Sequence, residues 1–163
     1  MSHVVVRSAD RPGDLGWMVL SHGEQYAAEF GWDHTFEALV ARIVGDYGLA
    51  RDPEREAAWL AEVDGRRVGC VLCVTGEDDA TAQLRILLVT PEGRGHGIGT
   101  RLVAECVAFA RGAAYDRMTL WTNDVLASAR RIYEAAGFTL AAEEPHHSFG
   151  CDLVGQTWTL ELR

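Results

Sequence analysis

Leu87-Leu88-Val89-Thr90-Pro91-Glu92-Gly93-Arg94-Gly95-His96-Gly97-Ile98-Gly99-Thr100 is the stretch on which the reading of this chain turns. An apolar strand runs into a turn, then a glycine-rich loop, then the start of an amphipathic helix. Gly95, Gly97 and Gly99 carry no Cβ, so the backbone there can adopt unusual φ and come close to a ligand. A helix beginning near Ile98 turns its free N–H groups, and the positive end of its dipole, toward the loop. Arg94 adds a charged donor. Together these groups suit an anion, and a diphosphate-bearing cofactor is the natural guest.

Two familiar nucleotide loops fit less well. A dinucleotide-binding Rossmann domain places its glycines after the first strand of a βαβ unit, with an acidic residue on the next strand. A P-loop ends in Lys-Ser/Thr. Here the loop lies mid-chain after several strands, an arginine precedes the glycines, and no Lys-Ser/Thr follows. The pattern points to a different cofactor.

Outward from the loop, residues 82–89 close a three-stranded antiparallel meander with 57–63 and 68–75. Asp64-Gly65 marks its first hairpin and 76–79 its second turn. Farther upstream, the β-branched run 4–8 predicts a strand. Residues 15–30 predict a helix broken near Gly23 and ended by Gly31. Asp33 caps a second helix over 36–47. Downstream, the helix 98–112 buries Leu102, Val103, Cys106, Val107, Phe109 and Ala110. A strand at 118–122 follows, then a helix capped by Asn123 or Asp124 and running to about Ala136, then closing strands at 138–143 and 157–162. The order is β-α-α-β-β-β-α-β-α-β-β. No composition break marks a linker, so residues 1–163 read as a single α/β domain.

Composition sets outer bounds. Hydrophobic residues make up 48% and charged residues 24% of the 163, ordinary for a globular chain. No export signal and no apolar segment near the roughly 20 residues of a membrane span is visible, and a cytoplasmic setting is expected. Cys70 and Cys73 have Cys-x-x-Cys spacing, but within a strand their side chains point to opposite faces. A metal site or redox pair is therefore not expected, and all four cysteines read as reduced thiols. The net charge of −9 disfavours nucleic acid and anionic membrane and suits a cationic substrate such as an amine.

Two blocks carry a resemblance. One is Leu87-Leu88-Val89-Thr90-Pro91 with Arg94-Gly95-His96-Gly97-Ile98-Gly99; the other is Ala129-Arg130-Arg131-Ile132-Tyr133-Glu134-Ala135-Ala136-Gly137-Phe138. In this order, with a helix and strand between them, they resemble the GNAT superfamily of acetyl-CoA-dependent acetyltransferases. Residues 22–26, Trp121-Thr122-Asn123 and residues 144–150 further resemble the acetyltransferase half fused to MarR-type regulators. A winged-helix half of the kind found in such fusions is not expected within these 163 residues.

The resemblance implies a GNAT-like mixed, mostly antiparallel sheet with a splayed central strand pair, flanked by helices. It implies acetyl-CoA as co-substrate, no metal, and direct transfer to the primary amine of a small-molecule or amino-acid-like acceptor. A non-catalytic acetyl-CoA-binding regulatory module is the alternative. Leu87 and Val89, with Leu88 between them, are expected to hold the pantetheine arm through the backbone. Gly95, His96, Gly97, Ile98, Gly99 and Thr100, with Arg94, are expected at the pyrophosphate. Asn123 and Ala129 are expected to contact the cofactor, and Tyr133 to protonate the leaving thiolate.

Two positions depart from the family pattern. Leu126 stands where many relatives have a cofactor-binding asparagine, and Gln83 where some have a glutamate base. The base is open among Glu24, Glu29, His22, Glu144, His146 and His147, with Glu29 carried into the catalytic set. Acceptor contacts are expected from His22, Glu24, Tyr26, Trp121, His146 and His147. None of the cysteines lies in a matched catalytic motif, so no acyl-enzyme is expected. The apolar run 158–162 motivates a homodimer through the terminal strands.

Overall fold

A single register decides the architecture. In the computed structural model, which describes Met1–Arg163, the strands are β1 (Val4–Ser8), β2 (Ala57–Val63), β3 (Arg66–Thr75), β4 (Thr81–Val89), β5 (Arg117–Asn123), β6 (Thr139–Ser148) and β7 (Cys151–Glu161). The helices are α1 (Asp14–Phe30), α2 (His34–Ala50), α3 (Ile98–Gly112) and α4 (Ala127–Ala135). The sheet order is β1-β2-β3-β4-β5-β7-β6. Every neighbouring pair is antiparallel except β4 and β5, which run parallel. That pair meets only at Thr81–Arg117, Ala82–Met118 and Gln83–Thr119. Beyond Gln83 the two strands part.

The cause lies one strand over. The β3–β4 register slips between Cys70 and Leu72, and Ile86 takes a left-handed φ of 50°. A bulge of this kind bends the strand and sharpens its twist. Residues 84–89 of β4 keep their bonds to β3 and leave β5 behind.

Side chains alternate between two layers along β3. Val71 and Cys73 join the core under α3, built on Leu102, Val103 and Cys106. Cys70 and Leu72 join the opposite cluster with Met18 of α1 and with Val40 and Val44 of α2. Cys70 and Cys73 thus occupy opposite faces, as period-two geometry requires, and all four cysteines are free.

The structure corrects several expectations. Gly23 does not interrupt α1, which is continuous from Asp14 to Phe30. A Cβ at Gly23 would lie 2.2 Å from Oε1 of Glu37, so this glycine admits α2 at close range. Residues 144–148 are not a loop. They extend β6 and pair with β7 across a Phe149-Gly150 turn whose φ values, 58° and 80°, are those of a tight hairpin. Asn123 does not cap α4: Leu126 holds the N-cap position without a side-chain bond. Asp33 does cap α2, accepting from the Thr35 amide. The run 158–162 is no exposed edge, because β7 lies between β5 and β6, and Trp158 and Leu162 are buried in the core. The motive for pairing through it is gone. No helix is long and apolar enough to cross a membrane.

Candidate active site

The parted strands open onto a cleft. Leu87, Leu88 and Val89 form one side, and Arg94, Gly95, Gly97, Ile98, Gly99 and Thr100 curl around one end. Residues 125–129 and Ile132, at the start of α4, close the other side. Gly95 and Gly97 take φ of 84° and 68°, a region where a Cβ is penalised. Gly97 is the N-cap of α3 and supplies no side chain, so the first amides of α3 have no side-chain cap. Free amides at a helix start present partial positive charge to an anion.

Every backbone-cradle residue expected from the sequence lines this cleft except His96, whose side chain lies outside the lining, between the two left-handed glycines. Ala129 lines it as expected.

A second cavity continues from the first, and Tyr26, Leu87 and Leu126 border both. Its walls are aromatic and aliphatic side chains of α1 and α2. Tyr26 stacks on Phe36, with centroids 4.8 Å apart and planes inclined by 6°. Trp121 lies at its mouth, half-exposed at 48%. Gly155 of β7 makes room for that indole: a Cβ there would stand 2.9 Å from Trp121 Nε1 and 3.0 Å from its Cζ2.

Tyr133 lines this second cavity, while Ala129 and Ile132, earlier on the same helix, line the cleft. The side chain of Tyr133 therefore faces the second cavity, one helical turn after Ala129 of the cleft wall. Burial pushes its pKa well above the ordinary tyrosine value, and no hydrogen bond offsets the shift. The hydroxyl stays protonated at neutral pH. Tyr26 is raised for the same main reason.

The expected acceptor residues divide. Tyr26 and Trp121 line the second cavity. His22 lines it too, but is 2% exposed. Its Nδ1–H donates to the Met18 carbonyl at 2.7 Å, and burial drops its pKa to about 4. It is a neutral wall residue whose Nε2 has no partner. Asn123, expected at the cofactor, borders this cavity and not the first cleft, and its side chain bonds within the protein. His146 Nε2 donates to Asn123 Oδ1 at 2.8 Å, and the Ser148 hydroxyl lies 2.8 Å from His146 Nδ1. The His146 ring also packs 5.4 Å from Trp121. His146 therefore buttresses the cavity from behind.

Three expectations fall away from the second cavity. His147 faces solvent on the other side of β6, where its Nδ1 lies 2.8 Å from Asp152 Oδ1. Glu24 is exposed on α1 and borders neither space. Glu29 lines the first cleft, not the second cavity, in an ion pair with Arg94. That carboxylate is held by a guanidinium at the anion-binding end, remote from the wall that Tyr133 shares.

Two side chains were missed. Gln25 Nε2 donates to the Val89 carbonyl at 3.1 Å, and its buried Oε1 has no partner. Arg85 lines the second cavity. A charge inside the apolar run from Leu84 to Val89 is the signal that marks Arg85. No Asp or Glu lines this cavity, so the acidic balance of the whole chain does not describe it.

Comparison with known proteins agrees with this geometry. Residues 17–138 match the model of the acetyltransferase (GNAT) family. The chain belongs to that family. An uncharacterized N-acetyltransferase of Archaeoglobus fulgidus is 33% identical over 133 residues, covering 78% of this chain and 88% of that one. N-acetylaspartate synthetase of Danio rerio is 34% identical over 91 residues, 56% of this chain; the match spans 32% of that enzyme. Among solved structures, yncA of Salmonella typhimurium, determined with acetyl-CoA, superposes with a TM-score of 0.73 at 19% identity over 98% of this chain and 94% of that one. Ribosomal-protein-alanine N-acetyltransferase of Brucella melitensis gives 0.77 at 17% identity over 97% and 99%. At such identities these two likenesses speak for the fold.

Proposed function

We propose that residues 1–163 act as one domain that transfers acetyl from acetyl-CoA to the primary amine of a small, amino-acid-like acceptor. One observation carries this reading. The edge of β4 that β5 leaves free and the uncapped start of α3 border a cleft that shares Tyr26, Leu87 and Leu126 with a second cavity, lined by Tyr133. The names of two relatives, an N-acetyltransferase and an N-acetylaspartate synthetase, support it.

The donor fits in two parts. The pantetheine arm takes the place of an extra strand along residues 87–89, using main-chain groups that β5 does not satisfy. The pyrophosphate lies on the α3 amides and takes Arg94 from Glu29. The acceptor enters through the second cavity past Trp121. Its nitrogen lone pair attacks the thioester carbonyl, forming C–N. Collapse breaks C–S, and the thiolate takes the proton of Tyr133. The proton lost by the amine restores the phenol, so the products are the amide and the free thiol. Gln83 lines the acceptor cavity and cannot act as a base, so the ammonium deprotonates before it is enclosed or through water.

A thiol-release assay across amines, amino acids and peptides tests the proposal. Acceptor-dependent release supports it. Tight binding of coenzyme A with no release from any acceptor would favour an acetyl-CoA-sensing regulatory module, the reading that the likeness to regulator-fused domains suggests.

A further inference from the structure

The second cavity contains one full cation and no anion. Arg85 projects from β4 into it, opposite Leu72 in the sheet register. The guanidinium is partly buried and makes neither an ion pair nor a hydrogen bond. Asp46 of α2 acts on it only through a longer-range field, and Asp46 itself is solvent-exposed. Desolvation accordingly lowers the Arg85 pKa, the direction expected of a cation whose water has been removed and not replaced. Arg7 shows what this chain does with an arginine that has a purely structural place: it meets both Asp14 and Glu62. The other ionisable groups of the cavity wall, His22, Tyr26 and Tyr133, are neutral at pH 7. Apart from the distant field of Asp46, no group of the protein pairs with the Arg85 charge.

The missing anion is not a cofactor phosphate. Those phosphates belong at the α3 end, with Arg94, and Arg85 does not border that cleft. The remaining source is the acceptor.

Resting on the acetyltransferase reading, we propose that Arg85 is the specificity-determining residue of the acceptor cavity and that the acceptor is an amine bearing a carboxylate, an amino acid rather than a simple amine or a polyamine. A guanidinium presents two parallel N–H donors in the geometry of a carboxylate. Anchoring that carboxylate on β4 leaves the amine free to reach toward Tyr133 and the shared border at Leu87 and Leu126. The stacked Tyr26 and Phe36 and the aliphatic Leu39 and Ile43 then enclose the carbon skeleton. This inverts the expectation drawn from net charge: the chain is acidic overall, yet its acceptor site selects a negative group.

The test is an acceptor panel of matched triplets, each amino acid beside its α-carboxamide and its decarboxylated amine. For the wild type, kcat/KM should favour the acid over both neutral partners by about a hundredfold, equivalent to about 2.8 kcal/mol. Arg85→Gln should erase that preference by raising the KM for the acid about a hundredfold, far more than for the neutral amines, while the KM for acetyl-CoA, whose cleft Arg85 does not border, stays within about twofold. Arg85→Lys, which keeps the charge and loses the fork, should fall between. Equal turnover of acids and amides, or equal losses for both in Arg85→Gln, would overturn the assignment without touching the transferase reading. If no acceptor reacts, the transferase reading fails instead. The anchor is then judged by binding alone: millimolar N-acetyl amino acids with coenzyme A should raise the melting temperature of the wild type and not of Arg85→Gln. No rise in the wild type overturns it.

Discussion

Arg7 and Asp14 form a two-pronged ion pair, with Nη1 2.8 Å from Oδ2 and Nη2 3.0 Å from Oδ1. Asp14 is fully buried and also accepts from Arg67 Nε and the Arg11 amide. It opens α1, the helix that carries His22, Tyr26 and Glu29. The pair fixes the acceptor-side wall to the sheet. Asp14→Asn leaves Arg7 and Arg67 short of a counter-charge in a buried place and should cost about 3 kcal/mol or more. Urea unfolding measures the loss, and an unchanged midpoint would refute it. The bonds from the arginines hold the Asp14 carboxyl well below the usual carboxylate range, so its stabilisation is intact above the ordinary carboxylate pKa and is lost progressively as pH falls below it.

Tyr133→Phe removes one hydroxyl from a ring that packs edge-on to Phe138, 5.9 Å away. The packing survives the change. The thiol-release rate should drop tenfold or more, about 1.4 kcal/mol in the barrier, with the Kd for coenzyme A within twofold of wild type. A variant that keeps full kcat would remove Tyr133 from the mechanism.

Gly155→Ala places a methyl group against the rigid indole of Trp121. Backbone and ring cannot both stay where they are, so the indole swings at the acceptor mouth. The expected result is an altered KM for the acceptor with an unchanged KM for acetyl-CoA. A parallel change in both would mean that the damage spreads through β7 to the whole domain.

His22 predicts an acid-side loss of stability. Its folded pKa, about 4, lies below the ordinary 6.5, so between these values the unfolded chain binds the extra proton. The contribution is complete above about pH 6.5 and is lost as pH falls toward 4. At about 1.4 kcal/mol per unit it amounts to about 3 kcal/mol. His22→Gln should flatten that part of the stability profile. An equally steep profile in the variant would assign the loss to other groups.

Much of this arrangement is written in local patterns. The stripe Leu102, Val103, Cys106 and Val107 gives α3, and the glycines before it give the cradle, because both depend on near neighbours. The end of the chain is harder to read. Residues 144–148 are all polar apart from Pro145, so they lack the apolar alternation that betrays a strand, and only pairing with β7 makes them one. Asn123 has the composition of a cap, and a residue twenty-three positions away, His146, takes its side chain. Glu29 has the right helical spacing from Tyr26, yet its partner Arg94 lies beyond three strands of sequence. Arg85 stands out as a charge, but what it faces follows from a bulge at Ile86 that no short motif announces.

The brief seam between β4 and β5 has a mechanical consequence. Two half-sheets, one of four strands and one of three, are joined along only three opposed residues. A guest that bonds to the free edge acts as a splint across this joint. Amide exchange along residues 84–89 should slow when the donor binds and quicken again on release, so that catalytic turnover and the stiffness of the scaffold rise and fall together.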